Sequence, residues 1–151
     1  MTVQMVRELG EAAHLAARAL ALVVPEVKNR ALMAIADALW NGRAAILSAN
    51  ALDLAEARSQ HHSPAVLDRL ALDERRIEQM AAGVRQVAAL SDPVGEITRM
   101  WPRPNGLLVG RMRVPLGVIG VIYEARPGVT ADAAALCLKS GNAVMLKGGR
   151  E

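Results

Sequence analysis

The amino-acid sequence predicts an α/β fold in which a helical N-terminal half precedes a short stretch of β-structure. Three observations support this prediction. Apolar residues recur at helical spacing through the first 90 residues. That period ends at Asp92-Pro93, after which turn-forming residues alternate with short, β-branched runs. The final third has the pattern strand, helix, strand, which is the βαβ unit from which parallel sheets are built.

Five helices are expected before residue 93. In chain order they are predicted over residues 2–24, 26–40, 43–58, a short stretch from 64, and 74–90. The third is expected to break near Asn50. Ser63 and Asp73 are predicted N-caps, because their side-chain oxygens can accept hydrogen bonds from the free N–H groups of a first helical turn. Pro64 suits the first helical position, where no N–H is needed.

The second half is predicted to contain a hairpin and one βαβ unit. Strands are expected over residues 96–100, 107–113, 116–123 and 143–146, with a helix over 128–138 that stops at Ser140-Gly141-Asn142. The domain organisation follows: a helical segment over 1–95, a β-hairpin over 96–115, and the first βαβ of a Rossmann-like sheet over 116–151. Because parallel sheets are normally covered on both faces by several crossovers, one βαβ unit predicts an incomplete domain.

Composition argues against several classes of protein. The net charge of +3 comes from basic residues scattered among acids, which is typical of solvated helix faces and not of a nucleic-acid-binding stripe. The longest apolar ribbon, residues 114–123, is far shorter than the ~20 residues of a membrane-spanning helix. The histidines lack ligand spacing, so no metal site is expected. Cys137 is the only cysteine, and with no secretion signal we expect a cytoplasmic protein.

Polar residues follow both predicted strands of the βαβ unit. One segment covers residues 123–128 and the other covers residues 147–151. In open α/β sheets, ligands bind beyond the carboxyl ends of the strands. A lysine followed by two glycines, as in Lys147-Gly148-Gly149, suits a phosphate or a ribose, although a simple turn has the same pattern. The dinucleotide fingerprint G-x-G-x-x-G is absent, since Gly117 and Gly120 lie inside a predicted strand.

The residues of these segments also carry a family resemblance. The chain contains VPLGVIGVIYEARPGVTADAAALCLKSGNAVMLKGGRE, and further upstream KNRALMAIADAL and VLDRLALDERRIEQMAAGVRQVAALSDPVGE. Over essentially its whole length it resembles the N-terminal portion of the γ-glutamyl phosphate reductases (glutamate-5-semialdehyde dehydrogenases) of the aldehyde dehydrogenase superfamily. The resemblance implies NADPH-dependent reduction of L-glutamyl 5-phosphate to L-glutamate 5-semialdehyde, with release of phosphate, in proline biosynthesis. It also implies an aldehyde-dehydrogenase-like fold that binds its dinucleotide without a glycine fingerprint.

The resemblance assigns roles to several residues. The positions that match the family's cofactor-contacting segments are Glu124, Ala125, Lys147, Gly148, Gly149 and Arg150. Among them, Lys147 matches a lysine that bonds the adenosine ribose. Arg150 stands where relatives carry an acid, which leaves room for a 2′-phosphate and favours NADP over NAD.

Arg126 matches the place where most aldehyde dehydrogenases keep an asparagine that donates to the oxyanion. An arginine there suits a substrate with a phosphate or a carboxylate, because its planar fork binds such oxygens bidentately. We therefore predict that Arg126 binds substrate. The alternative is a structural salt bridge from Arg126 to Glu124 or to another neighbouring acid.

The family's chemistry needs a thiolate nucleophile, and Cys137 is not expected to supply it. Cys137 lies within a predicted helix, where a small buried thiol is the ordinary outcome. No catalytic residue is therefore assigned, and the chain alone is expected to be inactive. Two alternatives stay open: a non-catalytic module that pairs its strands with a partner, and an aldehyde dehydrogenase relative with another substrate. Strand pairing also predicts a homo-oligomer.

Overall fold

In a computed structural model of the protein, residues 2–149 are described. The elements follow in the order α1 (Val3–Leu20), α2 (Pro25–Asn41), α3 (Arg43–Ser59), α4 (Pro64–Leu70), α5 (Glu74–Ala89), β1 (Ile97–Pro102), β2 (Leu108–Met112), β3 (Val118–Ile122), α6 (Gly128–Lys139) and β4 (Ala143–Lys147). The predicted order of five helices, a hairpin and a βαβ unit is confirmed. No helix within residues 2–149 combines the length and the apolarity that crossing a membrane requires.

Local chemistry explains where the helices begin. Asp73 accepts a hydrogen bond from the backbone N–H of Arg76 at 2.6 Å and caps α5, as predicted. Pro64 opens α4, and Pro25 is likewise the first residue of α2. Ser63 is the N-cap residue of α4, but its side chain makes no capping hydrogen bond.

Two predictions about helix extent are wrong. The helix α3 runs without a break through Asn50, because the Asn50 side chain is buried and hydrogen-bonded to the backbone at the end of α4. Its Nδ2 donates to the carbonyl oxygen of Leu70 at 2.9 Å, and its Oδ1 accepts from the N–H of Leu72 at 2.8 Å. An asparagine with such tertiary partners does not compete for its own backbone. The helix α1 ends at Leu20, four residues before the predicted end.

The core lies where α2, α5 and α6 pack together. Its buried members are mostly small: Leu32, Ala36, Ala81, Val84, Ala88, Ala131 and Ala135. Alanines on facing helices allow a close approach, with larger residues filling the space between. The buried residues of α5 are Ile77, Ala81, Val84 and Ala88, which recur at the helical spacing on which its prediction rests.

A buried polar cluster ties the helices to one another. Lys28 is only 2% exposed and forms an ion pair with Asp92, the residue at which the helical half ends. Lys139, 4% exposed, donates from Nζ to Asn29 Oδ1 at 2.6 Å and to the carbonyl oxygen of Ala88 at 2.8 Å. The second interaction satisfies a carbonyl in the last turn of α5, where no helical partner exists.

The turn after α6 holds the last strand in position. Gly141 has a φ of +74°, and the N–H of Asn142 donates to the carbonyl oxygen of Cys137 at 2.8 Å, which is a Schellman ending. Asn142 Oδ1 then accepts from the N–H of Gly117 at 2.8 Å. The predicted stop is confirmed, and its asparagine also fixes the start of β3.

The strands form two separate pairs. β1 and β2 are antiparallel, while β3 and β4 are parallel, as the βαβ prediction requires. Helix α1 packs on β3 and β4, a contact that the sequence did not indicate. Between α1 and these strands lies a cavity of about 1110 Å³ with a mainly aliphatic lining.

Candidate functional site

The two polar segments leave the parallel strands at the same edge. Ile122, the last residue of β3, is paired with Lys147, the last residue of β4. The N–H of Tyr123 donates to the carbonyl oxygen of Lys147 at 3.1 Å and extends the ladder by one step. Because the strands are parallel, Glu124 and Ala125 follow one strand where Gly148 follows the other.

Tyr123 fixes this edge with its side chain. Its hydroxyl lies 2.5 Å from Thr130 Oγ1 in the first turn of α6. Its ring lies beside Gly148, where an added Cβ would come 3.9 Å from the ring atoms. The tyrosine therefore links the ends of both strands to the helix that connects them. Apart from the position of Tyr123 at a strand end, nothing in the sequence indicates this role.

Ala125 adopts a backbone conformation that is unusual for its residue type. Its φ is +50°, in the left-handed region that residues other than glycine and asparagine rarely occupy. The conformation turns the chain sharply between β3 and α6. Strained backbone of this kind clusters at binding sites, since it persists only where the surrounding structure enforces it.

The donors at this edge fit a phosphate-bearing dinucleotide. Lys147 is exposed, and within residues 2–149 neither its ammonium group nor the N–H groups of Gly148 and Gly149 take part in a hydrogen bond. An unpaired ammonium beside free backbone donors is the chemistry that phosphate and ribose oxygens require. Arg150, the predicted partner of a 2′-phosphate, lies outside the described residues.

Arg126 lines a second feature, a cavity of about 460 Å³ between α4, α5 and the N-terminal end of α6. This cavity, called here the arginine cavity, also contains Arg69, Arg76, Asp68 and Asp132. The Arg126 side chain is exposed and makes no hydrogen bond or ion pair with any residue between 2 and 149. The alternative prediction, a salt bridge to Glu124, is therefore not what the structure shows for this part of the chain.

Cys137 lies on α6 and is 6% exposed. Burial raises the pKa of its thiol, so the reactive thiolate is scarce at neutral pH. These two properties support the expectation that Cys137 is a packing residue. No group of histidine, cysteine or carboxylate side chains within residues 2–149 has the arrangement of a metal site.

The chain is similar to proteins that are named γ-glutamyl phosphate reductases. No family model matches the chain. It is 60% identical over 146 residues to the γ-glutamyl phosphate reductase of Moorella thermoacetica, covering 97% of this chain and 35% of that protein. With the reductase of Syntrophomonas wolfei the identity is 58%, covering 95% and 34%. The predicted resemblance to γ-glutamyl phosphate reductase is confirmed.

Solved structures of γ-glutamyl phosphate reductases agree with the fold. The Thermotoga maritima enzyme superposes with a TM-score of 0.90 at 42% identity, over 94% of this chain and 34% of that one. The Saccharomyces cerevisiae enzyme gives 0.90 at 38% identity, over 95% and 36%. The chain matches the N-terminal portion of these reductases and spans about a third of their length.

Proposed function

We propose that this chain provides the N-terminal, cofactor-side part of a γ-glutamyl phosphate reductase. The reaction would be the NADPH-dependent reduction of L-glutamyl 5-phosphate to L-glutamate 5-semialdehyde, with release of phosphate, in proline biosynthesis. The observation that supports it best is 60% identity over 146 residues to a reductase of that name. We further propose that the protein is cytoplasmic.

One group of residues would bind the dinucleotide and another would bind the substrate. Lys147 and the N–H groups of Gly148 and Gly149 would hold the dinucleotide at the carboxyl ends of β3 and β4, with Glu124 and Ala125 along its path. When bound, the dinucleotide supplies the hydride for the acyl carbon. Arg126 would neutralise substrate oxygens from the arginine cavity, where its guanidinium has no competing partner among residues 2–149. Arg150 would complete the preference for NADP.

The chain by itself is proposed to be inactive. Reduction of an acyl phosphate through a covalent thioester needs an accessible thiolate, and Cys137 is buried with a raised pKa. The nucleophile of the proposed reaction would therefore come from sequence that matches the remaining two thirds of the relatives.

Self-association through the hairpin forms part of the proposal. β1 and β2 form a two-stranded sheet, and neither outer edge pairs with another strand within residues 2–149. Leu108 and Met112 on β2 are more than half exposed. Open edges with apolar side chains favour strand pairing between copies.

A chimaera tests the proposed function. This chain would replace the matching N-terminal third of the Moorella thermoacetica reductase, and oxidation of glutamate 5-semialdehyde would be followed with phosphate and NADP⁺ as absorbance at 340 nm, a general property of reduced nicotinamide. Turnover by the chimaera, none by the chain alone, and loss of turnover without phosphate are expected. A folded chimaera without phosphate-dependent turnover would refute the proposal.

A further inference from the structure

The arginine cavity contains charges of both signs, and some of them are already neutralised. Arg76 donates to Asp68 Oδ1 at 2.9 Å and to the carbonyl oxygens of Asp68 and Ala71. Together these interactions clamp the C-terminal end of α4 to α5. Arg76 and Asp68 therefore belong to the framework of the cavity and are not available to a ligand.

Three charged side chains of the cavity remain available. Arg126 has no partner among residues 2–149, and Arg69 uses only Nε, which donates to the carbonyl oxygen of Ala65 within its own helix at 3.2 Å. The carboxylate of Asp132 makes no hydrogen bond or ion pair with residues 2–149. The available charges are two guanidinium groups and one carboxylate.

Asp132 extends from α6 toward α5 at a point where α5 has no side chain. A Cβ added at Gly83 would lie 3.6 Å from Asp132 Oδ1. The carboxylate of Asp132 thus lies next to Gly83, and Asp132 is an exposed residue of the cavity lining. A carboxylate in this place would repel a phosphate, so a site made only for phosphate would not include it.

These three side chains complement an α-amino acid. A guanidinium fork matches an α-carboxylate bidentately, and a carboxylate accepts hydrogen bonds from an α-ammonium group. Resting on the proposed function, we infer that Asp132 is a specificity-determining residue that binds the α-ammonium group of the substrate, with Arg69 on its α-carboxylate. Arg126 is then left for the end of the substrate at which the reaction takes place.

Kinetics of the chimaera test this assignment with a pair of aldehydes. Glutamate 5-semialdehyde carries the α-amino group, and 5-oxopentanoate lacks only that group. In Asp132→Asn we expect kcat/KM for the amino aldehyde to fall about tenfold or more, mainly through KM, with 5-oxopentanoate unaffected, since one charge-assisted hydrogen bond is lost. Arg69→Gln should lower kcat/KM for both aldehydes, because both carry the carboxylate that Arg69 would bind.

The control is Asp53→Asn, which removes a carboxylate on α3 outside the cavity and should leave both aldehydes unchanged. Equal losses for the two aldehydes in Asp132→Asn would show a structural role and overturn the inference, and so would no loss for either. An unaltered chimaera that oxidises neither aldehyde would instead count against the proposed function.

Binding to the chain itself gives a second test that needs no turnover. In ¹⁵N-resolved NMR titrations, millimolar L-glutamate should shift amide signals around Asp132, and glutarate, which lacks the amino group, should shift them less. Asp132→Asn should remove that difference. If L-glutamate and glutarate give the same shifts in the unaltered chain, the inference is overturned whatever the chimaera does.

Discussion

The N–H of Tyr123 donates to the carbonyl oxygen of Lys147 at 3.1 Å, so the two parallel strands end at the same level. This single hydrogen bond places the two polar segments of the sequence side by side. The Tyr123 hydroxyl reaches Thr130 on α6 and its ring lies against Gly148. Tyr123 therefore connects the end of β4, the glycine segment that follows it and the first turn of α6.

Lys147→Gln should weaken NADPH binding by the chimaera. The ammonium group is exposed and free of partners within residues 2–149, so its loss removes ligand contacts without disturbing the fold. We expect Kd to rise about tenfold, the cost of one charge-assisted hydrogen bond, measured by quenching of nicotinamide fluorescence. Arg111→Gln on the hairpin is the matched control. An unchanged Kd in Lys147→Gln would remove Lys147 from the cofactor site.

The hydrogen bond between Tyr123 and Thr130 should be visible as an energetic coupling. Tyr123→Phe and Thr130→Val should each lower the free energy of unfolding by about 1 kcal/mol, as expected for one hydrogen bond. Urea titrations of the two variants and of the double variant measure the coupling. The double variant should lose little more than either single one, because both changes remove the same interaction. Strictly additive losses would contradict the contact.

Two glycines should respond to alanine in opposite directions. Gly141 has a φ of +74°, and an added Cβ would lie 2.9 Å from Pro115 Cγ, so Gly141→Ala should cost roughly 2 kcal/mol. Gly10 is inside α1 with no atom within 4 Å of an added Cβ, so Gly10→Ala should gain about 0.5–1 kcal/mol. Thermal unfolding of both variants checks the pair. A stable Gly141→Ala variant would contradict the described turn.

Asp92 should make stability depend on acid pH. Burial acts to raise the pKa of this carboxyl group, but its interactions with Lys28 and with the N–H of Val94 outweigh burial, and the pKa lies below 3.8. A carboxyl group whose pKa is lower in the folded state stabilises the fold at pH values above its unfolded-state pKa. That contribution is lost as the pH falls below about 4 through the folded-state value.

Asp92→Asn should therefore cost about 3 kcal/mol at pH 7, because it leaves the Lys28 ammonium buried without its counter-ion. The difference from the unaltered chain should shrink as both are acidified below about pH 4. Urea unfolding across pH 2–7 measures it, the range being chosen to bracket the carboxyl pKa values. Asp37→Asn, whose side chain is 64% exposed, should cost under about 0.5 kcal/mol. Equal costs for the two variants would refute the role of the buried pair.

Cys137 should resist alkylation in the folded chain. The side chain is 6% exposed and its pKa is raised by burial, so reaction with iodoacetamide requires transient opening of the fold. Mass spectrometry should show slow labelling at pH 7.5 and complete labelling in urea. Fast stoichiometric labelling without denaturant would contradict both the burial of Cys137 and its assignment as a packing residue.

Local signals in the sequence predicted most of the elements. Asp73 and Pro64 marked helix starts because they act within one turn of the backbone. Asn50 and Lys139 were beyond such reasoning, since their partners lie 20 or more residues away and come into reach only in the folded chain. For this reason the sequence predicted neither the uninterrupted α3 nor the burial of Lys139.

The site shows the same division between local and tertiary information. The strand ends and the resemblance pointed to Lys147 and Arg126, and the structure places both at open surfaces. Asp132 and Arg69 were not singled out, because a lone aspartate and a lone arginine on separate helices carry no spacing signal. Only the packing of α4, α5 and α6 brings them around one cavity.

The hydrogen bond from Lys139 Nζ to Asn29 Oδ1 joins residues that are 110 positions apart. During synthesis, α2 and α5 emerge from the ribosome well before the lysine that caps the last turn of α5. Until α6 has been synthesised and packed, the carbonyl oxygen of Ala88 and the side-chain oxygen of Asn29 must accept hydrogen bonds from water instead of from Lys139. The hydrogen bonds that fix the helical half therefore form late, after the C-terminal helix α6 has packed. The chain that lacks them is the form that chaperones and proteases would encounter.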